Sequence, residues 1–175
     1  MPDFPNNRID TAPAGGGTIT PWIDTSVLGA PIDVAVDGSG SVFVNINTNS
    51  VAKYDASGAQ VSGSFVSGLS VFASLIAQST SLIIPDINAQ KLYTASSSGS
   101  GPVAPTSVAN IALRSVSPAP SGQFYGIDGS NIFLIDPANG GISFVSAVPL
   151  GYQISTMPDG SLLTAYVYII NRVYP

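Results

Sequence analysis

ProIleAspValAlaVal (31–36), AspGlySerGly (37–40), SerValPheValAsn (41–45), a turn at 47–49, SerValAlaLysTyrAsp (50–55), AlaSerGlyAla (56–59) and Val61 to Val66 form the stretch on which the fold turns. Apolar and polar residues alternate within each run, and Gly, Asn and Asp cluster between runs. Alternation puts every second side chain on one buried face, and the clusters supply tight turns. The stretch therefore reads as four antiparallel strands joined by hairpins.

The same order recurs along the chain. AspGlySerAsn (128–131) turns into IlePheLeuIleAsp (132–136), ProAspGlySer (158–161) precedes LeuLeuThrAlaTyr (162–166), and GlnSerThrSer (78–81) precedes LeuIleIleProAspIle (82–87). The turn before the second strand falls near residues 40, 80, 122 and 160, and third strands begin near Val51, Leu92, Ile132 and Ile170. Two ladders with one spacing of roughly forty residues predict about four sheets of four strands, which is the spacing of a propeller blade. The expected fold is all-β: a small β-propeller of about four four-stranded antiparallel blades, residues 18–175, closed by an N-terminal strand. ThrIleThrProTrpIle (18–23) is expected to pair with Ile169 to Val173 and to complete the last blade. An open half of a larger ring, completed by a second copy, is the alternative.

Residues 1–17 carry Pro2, Pro5, Pro13 and Gly15 to Gly17. That composition holds neither helix nor strand well, and it predicts an extended arm lying on a neighbouring subunit, anchored by Phe4.

Composition narrows the chemistry. Of the 175 residues, 45% are hydrophobic and only 9% charged, so the surface is neutral and polar. All ten acidic residues are Asp, and the net charge of −5 opposes binding to nucleic acid. No cysteine and no histidine are present, which removes disulfides, thiolate catalysis and the commonest general base. No apolar run is long enough for a membrane helix, and the first residues lack the pattern of a signal peptide. No cofactor is expected, and no membrane partner.

The stretch from Pro31 to Gly58 resembles the NHL and YVTN-type propeller repeats, whose units begin with a Pro-led strand and end in an Asp-x-x-Gly turn. What the resemblance implies is fold, because such repeats serve adhesion, assembly and catalysis alike. Some similar six-bladed propellers are sugar lactonases that hold calcium or zinc on the ring axis through Glu, Asn and Asp. This chain has no Glu and too few repeat units for that arrangement.

Within the units, Asp33, Ser115 and Gln153 fall near the start of the innermost strand and predict a polar ring about the axis. Oxygen ligands without histidine would suit a hard cation such as calcium best, and no metal is expected. Asp37, Asp55, Asp128, Asp136 and Asp159 sit in turn signatures and are expected to cap their own backbone. Tyr152, Tyr166, Tyr168 and Tyr174 crowd the C-terminal strands, and with Trp22 they predict a closing seam rich in aromatic rings, a protein interface or a platform for stacking sugar rings. No residue set amounts to an active site, so a non-enzymatic protein is expected. The reading that joins these features is a structural or assembly protein, such as a phage capsid decoration protein or a tail or fibre subunit. It would be made in the host cytoplasm, present in several copies and contact other virion proteins. A glycan-binding extracellular adhesion module is the alternative, and a lactonase-like hydrolase the third.

Overall fold

The computed structural model describes residues 1–70, 74–78, 80–166 and 169–175, with Ser121 described by its backbone alone. Among them the chain forms five antiparallel sheets and no helix beyond two short 3-10 turns. In the first sheet β1 (Pro2–Asp3), β2 (Arg8–Thr11) and β3 (Thr20–Asp24) follow in order. The second holds β4 (Pro31–Val36), β5 (Val42–Ile46), β6 (Ser50–Tyr54) and β7 (Gln60–Val66). The third holds β8 (Ile76–Ala77), β9 (Ser81–Asp86), β10 (Lys91–Ser96) and β11 (Thr106–Ala109). The fourth holds β12 (Ser115–Pro118), β13 (Phe124–Ile127), β14 (Asn131–Asp136) and β15 (Gly141–Ala147). The fifth holds β16 (Gln153–Thr156), β17 (Leu162–Tyr166) and β18 (Ile169–Val173). The third strands β6, β10, β14 and β18 lie where the sequence ladder placed them.

The number of blades is five, not four, and the additional one comes from the expected arm. Residues 2–3 and 8–11 are strands, with the 3-10 turn Phe4–Asn6 between them. Thr20–Asp24 pairs antiparallel with Arg8–Thr11, with Ile9 opposite Ile23, and not with Ile169–Val173. Both isoleucines are fully buried, at 1% and 2% exposure. Ile9 stands between Arg8 and Asp10 in a run of four, so its alternation is too short to register beside the prolines. Its burial against Ile23 nevertheless offsets the ordering of the segment. β18 has β17 as its sole strand neighbour among the described residues.

The chain divides into two compact units: Met1–Leu69, Ala77–Ile83 and Ala95–Pro105 in the first; Ser70–Ile76, Ile84–Thr94 and Thr106–Pro175 in the second. In the first, the two leading sheets share a core of Ile9, Ile23, Val42, Val44, Ile46, Ala52 and Tyr54, with Trp22, Leu28 and Val34 packed on it. In the second, Ile127, Ile132, Val148, Ile154 and Leu162 form the core between the last two sheets, covered by Tyr125, Val145 and Val173. Of the expected core positions, Val42, Val44, Ile132 and Leu162 are fully buried, Val34, Leu134 and Tyr166 are half-buried, and Val36 is exposed.

The long loop after β10 is tied down from within the first unit. Lys53 is 7% exposed, and its Nζ donates to the carbonyls of Ser97 and Gly99 at 2.7 Å each. The ammonium also lies 4.8 Å from the Phe65 ring centre and 5.4 Å from that of Phe43. The Val103 amide donates to the Phe65 carbonyl at 2.8 Å, adding a backbone anchor.

The turn aspartates cap their own backbone. The Asp37 carboxylate accepts the amides of Ser39 and Ser41, and that of Asp55 accepts the amides of Ser57 and Ala59. Asp128 serves Ser130 and Asn131 likewise, Asp136 serves Ala138, and Asp159 serves Ser161. Bonds from the Ser57 and Ser161 hydroxyls and from amides hold Asp55 and Asp159 below the ordinary carboxylate value. At Asp37 and Asp128 burial pushes upward, and the hydrogen bonds outweigh it. A depressed folded-state pKa contributes stability that is present above the unfolded value, 3.8 here, and lost as pH falls through the folded value. The melting temperature is therefore expected to stay flat between about pH 8 and pH 5, where no histidine titrates, and to fall below about pH 4. A drop centred near neutral pH in thermal melts would contradict this assignment.

Candidate functional site

The first sheet carries a cavity of about 440 Å³, lined by Asn6, Arg8, Pro21, Trp22, Ile23, Asp24 and Ser26. A bulge at Trp22 interrupts the pairing of β3 with β2, so Ile23 is buried in the core while Pro21 and Asp24 are exposed, with Trp22 half-buried between them. Gly58 sits at φ +86° in the turn after β6. A side-chain carbon there would come within 2.9 Å of the indole Nε1, so the missing side chain lets that turn close on one edge of the ring.

The polar wall is held rigidly. Arg8 Nε donates to Asp10 Oδ1 at 2.8 Å, and Arg8 Nη2 reaches Asp3 Oδ2 at 3.0 Å. Asn6 Nδ2 donates to both oxygens of Asp3, at 3.0 and 2.8 Å. Across from them, Asp24 Oδ1 accepts the Ser26 amide at 2.8 Å, and bonds from the Ser26 amide and hydroxyl hold this carboxyl below its ordinary value. Tyr54 lies close enough for the charge on Asp24 to add to the effect of burial in raising its phenol above the usual value.

The second unit presents a different surface. β15, with the sequence GlyIleSerPheValSerAla, ends the fourth sheet, and its residues are exposed except for Val145 and Ser146, which are half-buried. Ile142 is 40% exposed and Phe144 63%. In the fifth sheet Ile169 and Ile170 on β18 and Tyr174 beyond it are exposed as well.

The residues singled out from sequence fall as follows. Ser115 and Gln153 come together between β12 and β16, the Ser115 hydroxyl donating to Gln153 Oε1 at 3.3 Å. Asp33 belongs to the other unit and accepts the Val34 amide at 2.9 Å. Among the described residues, no three or more acidic, His or Cys side chains are grouped to hold a metal ion. Tyr152 stacks beneath the Arg114 guanidinium at 4.4 Å and meets the edge of Tyr166 at 4.9 Å. Tyr174 lies under Arg172 at 5.2 Å, and Arg172 pairs with Asp159. Phe4 is exposed in its 3-10 turn, and Tyr168 lies outside the described residues. Trp22 packs on the core of its own unit, on a strand that pairs with β2. The cavity residues Asn6, Arg8, Asp24 and Ser26 and the edge β15 escaped the sequence reading. The chargeless run 141–147 was the available signal for the edge.

No protein-family model matches the chain, and no curated protein matches it in sequence. Solved structures do match in fold. The chain is similar to a propeller in a nidogen/laminin complex, with a TM-score of 0.76 and 18% identity over 93% of this chain and 65% of that one. It is similar to virginiamycin B lyase from Staphylococcus aureus, with a TM-score of 0.70 and 13% identity over 97% of this chain and 63% of the lyase. A protein described as a gluconolactonase matches with a TM-score of 0.77 and 12% identity, over 96% of this chain and 67% of that one. The chain thus spans less than two-thirds of the first two. Likeness at these identities establishes the fold: a small all-β propeller of the kind that NHL and YVTN-type repeats build, here with five blades.

Proposed function

We propose that this propeller is a non-enzymatic assembly protein that associates with further copies of itself through protein–protein contacts along β15. One observation carries the proposal: β15 is a seven-residue sheet edge without a charge or a proline, exposing Ile142 and Phe144. Sheet edges that face water are normally blunted by Lys, Pro or a bulge, since their open N–H and C=O groups pair with any available strand. The bulge in this strand falls at Val145, which leaves Gly141 to Phe144 flat. Two such edges pair antiparallel about a two-fold axis, each supplying what the other lacks.

The carboxylates that a hydrolase would need serve as turn caps, which supports the non-enzymatic reading. A virion is one setting for such assembly, and its neutral polar surface suits it. The arm that also pointed there folds instead into the first blade.

Sedimentation across a concentration series tests the proposal. The parent is expected to form dimers in the micromolar range, and Phe144→Lys to remain monomeric at about 100 µM with its melting temperature unchanged. A parent chain monomeric at that concentration, or a variant that associates equally well, would overturn it.

A further inference from the structure

We infer that the cavity on the first sheet is a binding site for a neutral hexopyranose, with Trp22 as stacking platform and Arg8 and Asp24 as hydrogen-bonding walls. This goes beyond assembly through β15 and rests on residues of the first unit only, so the two proposals fail separately.

At about 440 Å³ the cavity lies within the range of small-ligand pockets, ~300–1,000 Å³, and holds one or two sugar rings. Its aromatic wall is fixed before any ligand arrives, because the indole edge is closed in by Gly58 and the ring packs on the core of Ile9 and Ile23. A rigid aromatic face presents a large apolar area at low entropic cost, which suits the C–H face of a pyranose.

The polar groups then choose the ligand class. The charge of Arg8 is already met by Asp3 and Asp10, yet its Nη1 keeps donors to offer. That guanidinium is a hydrogen-bond donor more than an anion trap, which disfavours carboxylates and phosphates. Asp24 accepts from the Ser26 amide at Oδ1 and from the Ser26 hydroxyl, and its two oxygens keep lone pairs for a sugar hydroxyl. A quaternary ammonium has no acceptor for the Arg8 donors and would leave that wall unmet, which disfavours it despite the tryptophan. Side-by-side hydroxyls, each both donor and acceptor, satisfy a fixed donor on one wall and a fixed acceptor on the other.

The chain has a single tryptophan, so indole emission reports on this cavity alone. Titrations of the full chain with glucose, galactose, mannose and N-acetylglucosamine are expected to include at least one that shifts Trp22 emission saturably. Its Kd should be about 1 mM, the strength expected of so small a ligand. Asp24→Asn keeps the shape and the bond to Ser26 and is expected to weaken that sugar at least about tenfold while melting like the parent. In Trp22→Phe, saturation-transfer NMR should show the sugar signal lost or nearly so. Absence of any shift up to about 100 mM sugar, equal binding by Asp24→Asn, or tighter binding of choline or glycine than of every sugar would each overturn the assignment.

Discussion

Lys53→Ala is expected to destabilise the protein by about 3 kcal/mol and to release the loop that follows β10. The side chain is 7% exposed, its ammonium donates to the Ser97 and Gly99 carbonyls at 2.7 Å, and the Asp37 carboxylate lies near enough for the two charges to attract. Hydrogen bonds to a charged group contribute ~1.5–3 kcal/mol each, and the approach to Phe65 and Phe43 adds about 1 kcal/mol or more. Against these stands the cost of keeping a cation out of water, several kcal/mol. The net favours lysine because two oxygens and two ring faces replace much of its hydration, and because alanine also abandons the space filled by the aliphatic stem.

Lys53→Met separates the contributions. It keeps the stem, loses the donors and should cost about 2 kcal/mol. Urea denaturation measures both, and limited proteolysis should find new cleavage between residues 97 and 101 in either variant. Were Lys53→Met as stable as the parent, desolvation of the ammonium would be the larger effect and the anchor would be an encumbrance.

The second large effect is expected at Asp86, the fully buried last residue of β9. Its carboxylate accepts the Ser70 amide at 2.6 Å, the Ser70 hydroxyl at 2.9 Å and the Ala89 amide at 3.0 Å. It thereby fixes two chain segments of the second unit at once: the turn into β10 and the residue that leads away from Leu69. Asp86→Ala removes the acceptor and leaves two amides short of a partner, at about 1–3 kcal/mol for each group so orphaned. We expect a loss of about 3 kcal/mol and, in hydrogen exchange, faster exchange at Ser70 and Ala89 than the global change explains. Asp86→Asn keeps one carbonyl oxygen and should lose about half as much. Equal stability of Asp86→Ala and the parent would show that those amides find other acceptors.

Much of the fold was legible because its cues are local. Asp37 and Asp55 each close a turn by bonding amides two and four residues ahead, so the turn signature carries its own structure wherever it occurs. Val42 and Val44 declare their face by alternation, and the second sheet matches the reading to within a residue at each strand end. Pro85 stands inside β9 although proline has no amide to give a ladder, so local cues alone do not announce that strand.

The candidate sites were far less legible. Trp22 was visible, but its neighbours Asn6 and Arg8 stood in a segment that looked unstructured by composition. Lys53 read as an ordinary strand residue, because the carbonyls that receive it lie more than forty residues away.

By itself the sequence determined the antiparallel hairpins, their spacing and the capped turns, since each depends on dihedral preferences and side-chain bonds within a few residues. Only the tertiary structure decided that Thr20–Asp24 pairs with Arg8–Thr11 instead of Ile169–Val173, and that five blades result. The reason is that a strand edge offers the same row of N–H and C=O groups to every partner. The choice falls to whichever pairing buries its apolar face, and here Ile9 and Ile23 close together over Val42, Val44 and Tyr54.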